Sequence, residues 1–238
     1  MARIQWTKAK EDQLWLMHTE HPGWSTAKLA LWFKYPWKAV DSKLYSLKVQ
    51  RQEHWLDASG TGFLDIEAGN LKANVGYFLS WALLMPDGSV KWDVTTKREI
   101  FRYEPDKRIT ASLIKAMRQC DTIVTFFGKG FDLPFARGRA LYWGHNFPAY
   151  GELFHIDLFD FNKRLLGKTL TRLSLDASTT FLGIAGKTHY DVGLWGLGRL
   201  GQPTALDLIV QHNVADVEIL RDLFIALGPY AKWQRQSI

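Results

Sequence analysis

Residues 76–94 read GYFLSWALLMPDGSVKWDV. A ten-residue apolar run, Gly76 to Met85, and a shorter strand-like segment flank Pro86-Asp87-Gly88, which is hairpin turn chemistry. This stretch commits the chain to a sheet containing an antiparallel pair. The same run is the longest apolar one, and it is far short of the roughly 18 residues that a membrane span needs. Before the hairpin, FLDIEA reads as another strand. After it come a helix around residues 109–118, the strand TIVTFF, a helix beginning near Asp132, the short strand HIDLF, and then helix or loop. Three meander strands followed by alternating helices and strands predict a mixed α/β unit.

Residues before about 60 follow a different pattern. Thr7 suits the N-cap of a helix carrying Leu14, Trp15 and Leu16, which His21-Pro22-Gly23 stops. Ser25 or Thr26 caps a second helix through Leu29 and Trp32. Pro36 opens a third, on which Val40, Leu44 and Leu47 share one face. The formal net charge is +6. Residues 1–52 hold nine of the Lys and Arg residues against four acids, so nearly all of that excess lies there. Six of the eleven Trp fall between Trp6 and Trp55, large side chains with which a short segment can build a core. A compact basic module suits a polyanion, and a basic third helix suits the major groove. We therefore expect a trihelical module over 1–50 with Lys34, Lys38, Lys43 and Lys48 toward nucleic acid, a polar linker over 51–60, and the α/β domain over 61–238. A solvated surface or a helical protein-binding module fits the same residues.

Four acids carry the chemistry. Asp65 and Glu67 alternate on FLDIEA, so both project from one face while Leu64 and Ile66 point into a core. Two adjacent carboxylates on a central strand are costly unless a cation neutralises them, and hard oxygen donors call for Mg²⁺ or Mn²⁺. A D-x-E pair alone is weak, since it recurs at Asp216/Glu218. Asp132 follows TIVTFFGKGF near the C-terminal edge of a strand, where α/β sheets gather their sites, and it also suits a helix cap. His212 precedes Asp216 by four residues, which puts both on one helix face, either as base and ligand or as a surface pair.

Two resemblances extend these readings. WTKAKEDQL and the Trp6–Trp24 separation are similar to the opening of the Myb/SANT-like helix-turn-helix family, with Leu44 and Tyr45 where a third tryptophan would stand. FLDIE, FFGKGFDLP and HNVADVEIL, in this order and with HIDLFDF between the last two, resemble the DEDD superfamily of 3′–5′ exonucleases. That is the DnaQ-like group on the ribonuclease H-like fold, and its YprB-type branch is the nearest. The resemblance implies a ribonuclease H-like mixed sheet flanked by helices. It also implies two divalent ions held by Asp65, Glu67, Asp132 and Asp216, with His212 as the base for the attacking water. By the same resemblance Gly69, Asn70 and Leu71 would meet the terminal nucleotide; from their nearness to Asp132 in the sequence, Lys129, Arg137 and Arg139 could touch phosphates. Phe127 stands where the family often has Asn. The His212–Asp216 spacing matches the family's tyrosine subtype better than its histidine subtype.

Gly196–Gly201 fits G-x-G-x-x-G, but Pro203 and the lack of a following βαβ unit argue against a dinucleotide fingerprint. Residues 183–202, with six glycines, read as a flexible loop in which Lys187, His189 and Trp195 could hold substrate. A single cysteine, Cys120, excludes an internal disulfide and a cysteine-based zinc site. The charged start MARIQWTKAKEDQ lacks a secretory apolar segment, so a cytoplasmic protein is expected. The reading is a metal-dependent 3′–5′ exonuclease with nucleic acid, DNA ahead of RNA, as substrate and no membrane partner. A catalytically silent nucleic-acid-binding protein and an endonuclease on the same fold are the alternatives.

Overall fold

Thr7 accepts the Lys10 amide at 3.4 Å and starts α1, Lys8–Glu20; Ser25 does the same for Lys28 at 3.3 Å and starts α2, Thr26–Phe33. Lys34 ends α2 in the left-handed region, and α3, Trp37–Gln52, follows Pro36. Leu14, Leu29, Ala30, Val40, Leu44 and Leu47 meet as a small core rimmed by Trp6, Trp15, Trp24 and Tyr35. The computed structural model describes residues 6–21, 24–52, 60–184, 190–230 and 236–238, with the backbone alone at 45, 46 and 48–52. The chain divides into two compact units, Met1–Asp57 and Ala58–Ile238.

The second unit is a six-stranded mixed sheet. Its strands are β1 (Thr61–Ala68), β2 (Phe78–Leu84), β3 (Val90–Val94), β4 (Thr122–Thr125), β5 (Phe154–Asp157) and β6 (Gln236–Ser237). The spatial order is β3-β2-β1-β4-β5-β6. The meander β1–β2–β3 is antiparallel, β1, β4 and β5 are parallel, and β6 closes the far edge antiparallel to β5. Every residue of β2 is buried, because helices cover both faces. On one face Leu64 and Ile66 pack with residues of α5 (Lys107–Met117) and α6 (Asp132–Trp143). On the other, Phe63, Ala82 and Val124 pack with the long α10, Pro203–Leu227. Between these lie α4 (Lys97–Phe101), α7 (Leu158–Leu166), α8 (Leu175–Phe181) and α9 (Gly193–Arg199).

The expected loop over 183–202 therefore contains a helix, α9. Glycine is a poor helix former, but burial decides here. Gly198 is buried, and a Cβ there would stand 2.6 Å from the terminal Cδ1 of Ile209, so α9 packs closely on the side chains of α10 at this point. Pro203 occupies the first turn of α10, where its missing N–H costs nothing, and not a helix interior. Lys187 and His189 lie outside the described residues, as does most of the expected linker, 53–59.

Candidate metal centre

The register of the sheet builds the site. β1 pairs with β4 only through Thr61–Phe63, so beyond Phe63 the two parallel strands part and the Ile66 amide has no ladder partner in β4. A buried amide must find an acceptor. The Asp132 carboxylate, on the first residue of α6, accepts it. This puts Asp132 against β1, in electrostatic reach of Glu67. Asp132 is only 4% exposed. Burial, and then the nearby negative charge of Asp157 and Glu67, pushes its carboxyl up from 3.8 to about 8. Among the described residues no cationic side chain pairs with it.

Asp65 and Glu67 project from the face of β1 opposite Leu64 and Ile66, toward α10, as strand alternation requires. On α10, His212, Asn213 and Asp216 interrupt the apolar stripe of Ile209, Val217 and Leu220. The Asn213 amide donates to Asp65 Oδ2 at 2.6 Å and accepts the Ser80 hydroxyl of β2 at 3.0 Å. His212 Nε2 stands 3.5 Å from Glu67 Oε1 and 3.8 Å from Asp216 Oδ2. Glu67, His212 and Asp216 each offer a donor atom within 4.8 Å of the others, a spacing one metal ion can bridge. Trp195 Nε1 of α9 donates to Glu67 Oε2 at 2.7 Å. Two carboxylates and one imidazole at this spacing, with the buried Asp132 carboxyl close to Glu67, fit a divalent cation.

The neighbouring turn is fixed by Asp157 at the end of β5. Its carboxylate accepts the amides of Phe127 at 2.8 Å, Lys129 at 2.9 Å and Phe159 at 3.1 Å. Burial nevertheless raises its pKa. Phe127 is held at φ +68°, a left-handed conformation uncommon for a non-glycine residue. A Cβ on Gly128 would lie 1.9 Å from Thr125 Oγ1, so only glycine fits there. This turn delivers Asp132 to β1.

The structure thus brings Glu67, His212 and Asp216 within reach of one ion, sets Asp132 at the Ile66 amide in electrostatic reach of Glu67, and ties Asp65 to α10 through Asn213. Gly69, Asn70 and Leu71 follow β1 directly, and Leu71 is 76% exposed. Lys129 is half engaged, its ammonium 2.5 Å from Asp160. Arg137 is exposed and lies over the Phe147 ring. Arg139 corrects the expectation of phosphate contact: it is buried and bound bidentately to Asp106 at 2.7 Å, with a further bond to the Ala73 carbonyl. In the N-terminal unit Lys34 and Lys38 are exposed, whereas Lys43 pairs with Glu11 at 2.9 Å and is largely covered. The Lys48 side chain lies outside the described residues.

A profile of the RNase_H superfamily matches residues 62–227, well over half of the chain. The chain belongs to the RNase_H superfamily. No curated protein matches it. Among solved structures, this RNase_H-superfamily chain is similar to the family B DNA polymerase from the hyperthermophilic archaeon Pyrobaculum calidifontis, with a TM-score of 0.59 and 16% identity. That match covers 73% of this chain and 25% of the polymerase chain, so the likeness is one of fold. No helix among the described residues is long and apolar enough to cross a membrane.

Sequence reasoning misses two residues that support the candidate site, Asn213 beside Asp65 and Asp157 beneath the turn before Asp132. Asn213 had a visible signal, a polar residue in the apolar stripe of α10. Asp157 had a weaker one, an acid at a strand end just before a helix. Trp195 was noticed, but not its bond to Glu67.

Proposed function

We propose that the chain is a metal-dependent nuclease that removes nucleotides from a 3′ end, acting on DNA in preference to RNA, with Asp65, Glu67, Asp132 and Asp216 holding two divalent ions, Mg²⁺ or Mn²⁺. The observation that carries this reading is Asp132, a buried carboxyl aimed at β1 beside Glu67, with no cationic partner among the described residues. Membership of the RNase_H superfamily supports a nuclease. Bound divalent ions supply the positive charge that offsets developing charge on the attacking and leaving oxygens of a phosphodiester. The chain's own residues orient the ligands: Asn213 holds Asp65, Trp195 holds Glu67, and the Ile66 amide holds Asp132. Exposed Leu71, with Gly69 and Asn70, offers a surface for a terminal base, and the exposed Lys129 and Arg137 are the candidate phosphate contacts.

Digestion of 5′-end-labelled single- and double-stranded DNA and RNA with Mg²⁺, Mn²⁺ or chelator tests this. The expected result is a ladder shortening from the 3′ end only with metal, faster on DNA, and absent in Asp65→Ala and Asp216→Ala. Internal cuts would point to an endonuclease. Intact substrate in every condition would leave a nucleic-acid-binding protein.

The proposal extends to the N-terminal unit as a helix-turn-helix module tethering nucleic acid, supported by exposed Lys34 and Lys38 beside exposed Trp32 and Trp37. Replacing both lysines by alanine should shallow the log–log salt dependence of duplex binding by about 2. An unchanged slope removes the tether.

A further inference from the structure

We propose that His212 is itself a metal ligand, so that one ion sits in a mixed nitrogen–oxygen site of Glu67, His212 and Asp216 that favours a first-row transition ion such as Mn²⁺ over Mg²⁺. This rests on the nuclease reading above and changes the role of the histidine within it. The distances decide between two arrangements. An imidazolium donating to a carboxylate closes to about 2.7–2.9 Å. His212 Nε2 stands instead at 3.5 Å from Glu67 Oε1 and 3.8 Å from Asp216 Oδ2. Ligand bonds of about 2.0–2.2 Å leave neighbouring donors roughly 3.0–3.5 Å apart, so both separations lie nearer to co-ligand spacing than to a hydrogen bond.

The surroundings fix the ring for this task. Tyr190 and Trp195 each meet the imidazole edge-on, with centroids at 5.6 and 5.5 Å and planes at 87°. Trp195 occupies Glu67 Oε2 and leaves Oε1 toward the imidazole. His212 is only 6% exposed, so its Nε2 faces ligand oxygens and not an open cleft where a base would meet bulk water. Mg²⁺ keeps to oxygen donors and binds imidazole poorly, whereas Mn²⁺ and its heavier neighbours accept both.

The test uses the full chain and Mn²⁺ alone, read by pulsed EPR. The expected spectrum shows nitrogen coupling that changes when the protein is grown with ¹⁵N-histidine. His212→Gln should abolish that coupling and weaken Mn²⁺ binding by about 10- to 100-fold. Its Mg²⁺ affinity should change less. Bound Mn²⁺ without histidine coupling in the wild-type protein overturns this inference and leaves the nuclease reading standing. This result needs no variant to fold. Coupling that persists in folded His212→Gln also overturns it. Failure of both Mn²⁺ and Mg²⁺ to bind overturns the two together.

Discussion

Two buried polar clusters in the same unit answer the cost of burying charge in opposite ways. Asp106, fully buried, takes two bonds from Arg139, one from the Trp143 indole at 2.7 Å and one from the Phe78 amide at 3.0 Å. Its charge is matched by a guanidinium in fixed geometry, and the cluster ties the start of β2 to α6. At the candidate metal centre, Glu67 and Asp216 gather around an imidazole with Asp132 close to Glu67, and the donors among the described residues include a neutral amide at Asp65, an indole at Glu67 and a backbone N–H at Asp132. Asp132 titrates far above its ordinary range. Matched charge indicates architecture, while a buried acid such as Asp132, with no cationic partner among the described residues, points to a site completed by a ligand.

Mutation separates the two. Asp65→Ala or Asp216→Ala should lower metal-dependent cleavage by about 10³-fold or more while the thermal midpoint in chelator holds or rises. Parallel loss of folding, by circular dichroism, would make these acids architectural. Arg139→Ala should do the reverse, costing about 3–5 kcal/mol of stability in urea unfolding by stranding Asp106. A loss under 1 kcal/mol would mean that the pair is not the anchor described. Asn213→Ala falls between the two clusters. It should weaken metal binding by about 10- to 100-fold through Asp65, with a smaller effect on stability, and titration calorimetry reads that split.

Much of the fold was legible because periodicity is local. The alternation in FLDIEA placed Asp65 and Glu67 on one face, and the four-residue step placed His212 with Asp216. Asp132 was legible as a strand-end acid, but its bond to the Ile66 amide depends on where β1 and β4 part, which register alone decides. Asn213 escaped notice because its role comes from Ser80, 133 residues away in sequence. Arg139 looked like a surface cation because its partner, Asp106, carries no motif. Glycine propensity argues for loop over 193–199, and the packing of α9 against α10, close at Gly198, is not visible in the local sequence. His155 shows the converse: it looks like a ligand type but is a core histidine, pushed down to about 4 by burial and bonded to Thr125 Oγ1 at 2.8 Å.

The most direct test is the pH dependence of thermal stability with and without Mn²⁺. Asp132 holds its proton in the folded state up to about 8, whereas the unfolded carboxyl releases it near 3.8. Without metal, stability should therefore fall as pH rises between these values, by up to about 1.4 kcal/mol per pH unit. Mn²⁺ favours the ionised carboxylate, so its stabilising effect should grow over the same window. Asp132→Asn should flatten the metal-free slope and remove the growth of the Mn²⁺ effect with pH over that window. A folded wild-type protein whose midpoint is the same with Mn²⁺ and with chelator at pH 8 would contradict the account.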